Sequence, residues 1–144
     1  MEEELAFTKI YEEFKGRIIT DEHIVKDGKD IPVTAAWDTG TTYSCISPEF
    51  AKQINLQPLS DDKLHTPYGI IQSKLYEVDV LLNEQTVYTV RVAENPNIHR
   101  EGVDFLIGMD IISEGDFTIS TYGGKTSFSF RVPSKGLIDY EKEY

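Results

Sequence analysis

Alternating apolar and polar residues, broken by turn signals at short intervals, run through most of this chain. Residues 16–25 and 30–37 flank Lys26-Asp27-Gly28-Lys29. Asp-Gly signals a two-residue hairpin, because both central positions must accept positive φ. Val78, Val80 and Leu82 alternate with Glu77, Asp79 and Leu81, and Tyr88, Val90 and Val92 with Thr89 and Arg91. Phe128, Phe130 and Val132 alternate with Ser127, Ser129 and Arg131. A period of two with one apolar face predicts half-buried strands. Gly123-Gly124 separates the run 117–120 from the run 127–132, which predicts a hairpin near the C-terminal end. Helix is predicted in two places. Ser47-Pro48-Glu49 supplies a cap, a proline suited to the first helical position and an acid at the positive end of the dipole, for a helix reaching about Asn55. Residues 109–113 predict one further helical turn, ending at Gly115. The chain reads as mainly β with one or two short helices.

Composition narrows what such a fold can do. The 144 residues fit one domain. With 25 Asp+Glu against 14 Lys+Arg the formal charge is −11, which repels a phosphate backbone and an anionic membrane surface alike. No nucleic-acid or membrane partner is expected. Cys45 is the single cysteine, so no disulfide forms within the chain, in keeping with a reducing compartment. No apolar stretch approaches the length of a membrane-spanning helix. The start, Met1-Glu2-Glu3-Glu4, lacks the basic and apolar regions of a signal peptide, and cytoplasmic is the expected location. His23, His65 and His99 are scattered without metal-ligand spacing, so neither metal nor cofactor is expected. Cys45 sits between Ser44 and Ile46 in an apolar run and reads as a small buried thiol rather than a nucleophile served by His65 or His99. Glu2, Glu3 and Glu4 read as a solvated end.

The chemistry concentrates in Ala35-Ala36-Trp37-Asp38-Thr39-Gly40-Thr41-Thr42. An apolar strand delivers a carboxylate into a turn that Gly40 keeps open, with the hydroxyls of Thr39 and Thr41 beside it. Such an acid is suited to proton transfer. Downstream, Phe105-Leu106-Ile107-Gly108-Met109-Asp110 reads as an apolar strand ending at a glycine and a helical turn. Between the two lies a candidate hairpin tip, Thr66-Pro67-Tyr68-Gly69-Ile70, where Pro67 presets the first turn position and Gly69 supplies a left-handed residue.

On these segments the sequence resembles the retropepsin-like aspartic proteases, single-domain relatives of pepsin. Asp38-Thr39-Gly40 matches their catalytic triplet, and Leu106-Ile107-Gly108 matches their second signature of two apolar residues and a glycine before a helix. The resemblance implies a closed β-barrel half, paired as a twofold homodimer that cuts peptide or protein substrates without a cofactor. Residues 17–133 would form the protease domain, 1–16 an N-terminal extension and 134–144 an acidic C-terminal tail, loose from Asp139 to Tyr144. Asp38 of each subunit would share one water and one proton, since a single triplet supplies a single acid. Thr39 would hydrogen-bond across the dimer and Gly40 would help hold the carboxylates coplanar. The hairpin of Pro67, Tyr68, Gly69 and Ile70 would be the substrate-covering flap, and Thr41 would lie against the substrate site. Asp110 would have a structural or capping role.

Three features depart from the pattern. Trp37 stands where a smaller apolar residue is common and is expected in the core. The flap tip has one glycine, and Tyr68 is either a counterpart of the pepsin flap tyrosine or an exposed turn aromatic. Thr41 stands where viral enzymes often carry alanine, and its hydroxyl can donate to a carboxylate oxygen, favouring the charged form and a more acidic pH optimum. Two other readings accompany the endopeptidase: a module of the same fold that binds extended peptides without cutting them, and a protease domain active only when tethered in an assembly.

Overall fold

The computed structural model describes residues 4–143, so Glu2, Glu3 and the terminal Tyr144 lie outside the described residues. Its strands are β1 (Leu5–Tyr11), β2 (Ile18–Lys26), β3 (Lys29–Trp37), β4 (Cys45–Ile46), β5 (Ser60–Thr66), β6 (Gly69–Leu82), β7 (Thr86–Glu94), β8 (Phe105–Ile107), β9 (Asp116–Tyr122) and β10 (Lys125–Val132). Two short helices, α1 (Pro48–Gln53) and α2 (Met109–Ile112), follow β4 and β8.

Local chemistry sets most of the turns. Asp27 and Gly28 adopt φ of 53° and 73°, so β2 and β3 fold back on each other in register from Lys26–Lys29 to Ile18–Trp37. Gly123 and Gly124, at φ 61° and 80°, do the same for β9 and β10. Ser47 caps α1 by accepting the Phe50 N–H at 3.0 Å, with Pro48 at the first helical position.

The strands β2–β3–β8–β4–β7–β6 hydrogen-bond in that order, and β2 pairs again with β6, closing the series into a barrel. β5 extends from β6 as a projecting hairpin arm. A separate sheet has the order β1–β10–β9. Within the N-terminal extension, residues 5–11 thus supply a strand: Leu5 pairs with Val132 and Tyr11 with Thr126. The tail is exposed and ends in a 3₁₀ turn over Tyr140–Glu143.

One core joins barrel and sheet. Ile24, Ala35, Val80, Phe105 and Ile107 of the barrel pack in the same cluster as Phe128 and Phe130 of β10. Trp37 lies at the junction, only 7% exposed, with its ring centroid 4.8 Å from that of Phe128 and 5.0 Å from that of Phe130. Aromatic rings at such separations add to the area they bury. The tryptophan before Asp38 is therefore a core residue that pins the end of β3. Among the described residues no helix is long and apolar enough to cross a membrane.

Candidate active site

Asp38 is the first residue past β3. Its backbone N–H continues the ladder to β8 by donating to the Ile107 carbonyl at 2.9 Å, and its own carbonyl accepts the Thr41 N–H at 3.2 Å. The side chain then meets the turn it began. The Gly40 N–H donates to Oδ1 and the Thr41 hydroxyl to Oδ2, each at 2.8 Å. Both oxygens of a half-buried carboxylate are thereby oriented by directed donors. A side chain on Gly40 would begin 3.2 Å from Oδ1. Thr39 and Gly40 are exposed beside Asp38.

The loop after the acid is fastened to α2. The Met109 N–H donates to the Thr41 carbonyl at 2.7 Å and the Asp110 N–H to the Thr42 carbonyl at 3.1 Å. The Asp110 carboxylate accepts from the Ser44 N–H at 3.0 Å and the Ser44 hydroxyl at 2.7 Å, while that same Ser44 oxygen accepts the Gly108 N–H at 3.0 Å. This is the structural role expected of Asp110. It also explains the glycine of Leu106-Ile107-Gly108: a Cβ at Gly108 would lie 2.6 Å from the Thr41 carbonyl oxygen, where no side chain fits.

The predicted residues fall into two groups. Asp38, Thr39, Gly40 and Thr41 gather at the end of β3. Pro67, Tyr68, Gly69 and Ile70 form the tip of the β5–β6 hairpin, with Thr66 paired to Gly69, Gly69 at φ 123° and Tyr68 93% exposed. Tyr68 is thus an exposed turn aromatic in this state. Beside Asp38 opens a cleft of about 290 Å³ lined by Lys15, Arg17, Trp37, Thr39, Phe117 and Ile119.

Cys45 is buried, its thiol pushed up to about 11 by that burial and by the nearby Asp110 and Asp38 charges, so it stays protonated. His99 places Nδ1 2.6 Å from Asp104, whose hydrogen bond and charge hold the imidazole above its usual range. Sequence reasoning missed the Ser44 link to Gly108, and it missed Thr20 and Glu22 on β2. The latter pair shares the parity of Ile18 and Ile24, but Ile19 and Val25 on the other parity leave the inward face of β2 undecided in the sequence.

The family model described as "gag-polyprotein putative aspartyl protease" matches residues 26–114, from the β2–β3 turn through α2. A retropepsin-like aspartic protease from Rickettsia conorii is similar in structure over 92% of this chain and 97% of its own, at 11% identity and a TM-score of 0.56. The EIAV protease, complexed with the inhibitor HBY-793, is similar over 69% of this chain and 88% of its own, at 17% identity and a TM-score of 0.53. At these identities the structural likeness is one of fold. No curated protein matches the sequence.

Proposed function

Since the chain belongs to the retropepsin-like aspartic proteases, we propose that it is an aspartic endopeptidase whose active unit is a twofold homodimer with one Asp38 from each copy. The observation that carries this reading is the Asp38 carboxylate itself. It is held by Gly40 and Thr41 at the end of a buried strand, beside an open cleft. A single acid cannot serve as base and acid in one step, so a symmetric partner supplies the other.

The place for that partner is suggested by β9. It is the edge of its sheet, and residues 117–122 (Phe-Thr-Ile-Ser-Thr-Tyr) carry neither charge nor proline, the usual guards of an exposed edge. Phe117 and Ile119 line the same cleft as Asp38 and Thr39. A second copy adding its β9 across a twofold axis would therefore bring its own Asp38 and Thr39 to the first.

Two carboxylates so close share one proton. The ionised one takes a proton from a water as its oxygen adds to the scissile carbonyl carbon. The protonated one donates to the carbonyl oxygen, giving a tetrahedral diol. On collapse the C–N bond breaks, the leaving nitrogen takes the proton held by the first carboxyl, and a diol proton returns to the second. Thr39 bridges the subunits. The hairpin tip closes over an extended peptide, excluding bulk water.

The test is cleavage of an unfolded protein by the purified chain between acidic and neutral pH, with Asp38→Asn as control. The substitution is expected to lower kcat/KM by about 10³-fold or more while leaving thermal stability unchanged. Activity that survives it removes Asp38 from the reaction. Peptide binding without product at any pH favours the non-catalytic module.

A further inference from the structure

β2 breaks the rule its own alternation sets. Its inward positions read Ile18, Thr20, Glu22, Ile24, so a hydroxyl and a carboxylate occupy core sites. Glu22 is 1% exposed. A carboxylate sealed in this way persists only where directed hydrogen bonds replace water. Here the Asn83 N–H donates to Oε1 at 2.8 Å and the Thr20 hydroxyl to Oε2 at 2.5 Å. The Thr20 oxygen in turn accepts the indole N–H of Trp37 at 2.9 Å. Trp37 is covalently next to Asp38. A chain of hydrogen bonds thus runs from the sealed carboxylate to the residue that anchors the catalytic turn.

The sense of that chain depends on the charge of Glu22. When Glu22 is ionised, the one Thr20 proton points to Oε2, and the polarised hydroxyl oxygen is a stronger acceptor for the indole. When Glu22 is protonated on Oε2, it donates to Thr20 instead. The hydroxyl then accepts from both sides, and its hold on the indole weakens.

The titratable and charged neighbours are Lys9 and Tyr11 from β1, and Asp21 and His23 on β2 itself. β3 presents Val33 opposite Glu22, and β6 meets β2 through Leu81, Val80 and Asp79. Burial pushes Glu22 above its usual range, and Thr20, Asn83, Lys9 and His23 pull it only part of the way back.

We propose that Glu22 is a positioning residue for the catalytic turn: its ionisation sets the direction of the Thr20 hydroxyl and so how firmly Trp37, and Asp38 beside it, are held. The link to catalysis rests on the function proposed above, whereas the coupling itself does not.

Trp37 is the single tryptophan of the chain, so its fluorescence reports the coupling directly. Emission is followed from about pH 7.5 to pH 3.5 in the wild type, Glu22→Gln, Asp38→Asn and Thr20→Val, a range that brackets the ordinary carboxylate values. The wild type and Asp38→Asn are expected to show one transition, centred above the ordinary glutamate range. Glu22→Gln is expected to lack it, with emission near that of the acidic wild type. Thr20→Val cuts the chain while keeping Glu22, and is also expected to lack it; it serves alone if Glu22→Gln does not fold. A transition that persists in either Glu22→Gln or Thr20→Val, or that vanishes in Asp38→Asn, overturns the proposal. In the cleavage assay Glu22→Gln is expected to change the pH profile of kcat with KM within about twofold. Loss of the enzyme reading through an active Asp38→Asn would leave the fluorescence result standing, so the two failures are distinguishable.

Discussion

The barrel and the three-stranded sheet treat their strand edges in opposite ways. In the barrel, β2 pairs with both β3 and β6, so the ring itself offers no edge. The sheet stops at β9, a strand with neither charge nor proline over residues 117–122. The contrast separates two tasks. The barrel is complete in one copy and fixes the geometry of Asp38 through Ile107, Gly40 and Thr41. The sheet leaves β9 unpaired on one side, and the function proposed for it is to bring a second acid.

The largest effect is expected at that open edge. Ile119, 46% exposed beside the Asp38 cleft, becomes self-repelling across a twofold axis when changed to aspartate. Ile119→Asp should weaken association by about 10²-fold without unfolding the monomer, read by sedimentation and by activity that recovers at high concentration. An unchanged association constant would move the interface elsewhere. Next comes the closed side. Gly108→Ala forces a Cβ to 2.6 Å from the Thr41 carbonyl and should cost about 1–3 kcal/mol in chemical denaturation. Thr41→Ala removes one donor to Asp38 and should lower kcat/KM about tenfold with little change in stability, because the Gly40 donor remains. The smallest effect is at the start of β9. Ser134, the Lys135 N–H and Arg131 converge on Asp116 and hold its carboxyl down at about 2. A lowered folded-state value stabilises the fold above the ordinary carboxylate range and loses that stabilisation as pH falls toward 2. Asp116→Asn should therefore lower the thermal midpoint slightly at neutral pH and converge with the wild type as pH falls toward 2, flattening the fall over that acid window.

Where local chemistry decides, the fold was legible in the sequence. Asp27-Gly28 and Gly123-Gly124 dictate their hairpins, and Ser47-Pro48 dictates the start of α1. The turn that holds Asp38 was legible for the same reason, since Asp38, Gly40 and Thr41 interact within four consecutive residues. What stayed hidden depends on distant partners. Leu5, Phe7 and Tyr11 alternate, but their partners lie at residues 126–132, more than 100 positions away. Gly108 reads as a motif, yet its necessity comes from the Thr41 carbonyl lying against it. Thr20 and Glu22 look like ordinary polar residues of an exposed face until the inward parity of β2 is known.

The central claim is that two chains contribute one Asp38 each to a single site, and mixing tests it most directly. Wild-type chain at a fixed concentration well above the dimer dissociation constant is equilibrated with an equal amount of Asp38→Asn chain, and peptide cleavage is measured. If mixed dimers are inactive, random pairing lowers the rate to about half, and a tenfold excess of the variant lowers it to about one tenth. A rate that stays constant as the inert chain is added would mean that each copy cuts on its own, and would contradict the account.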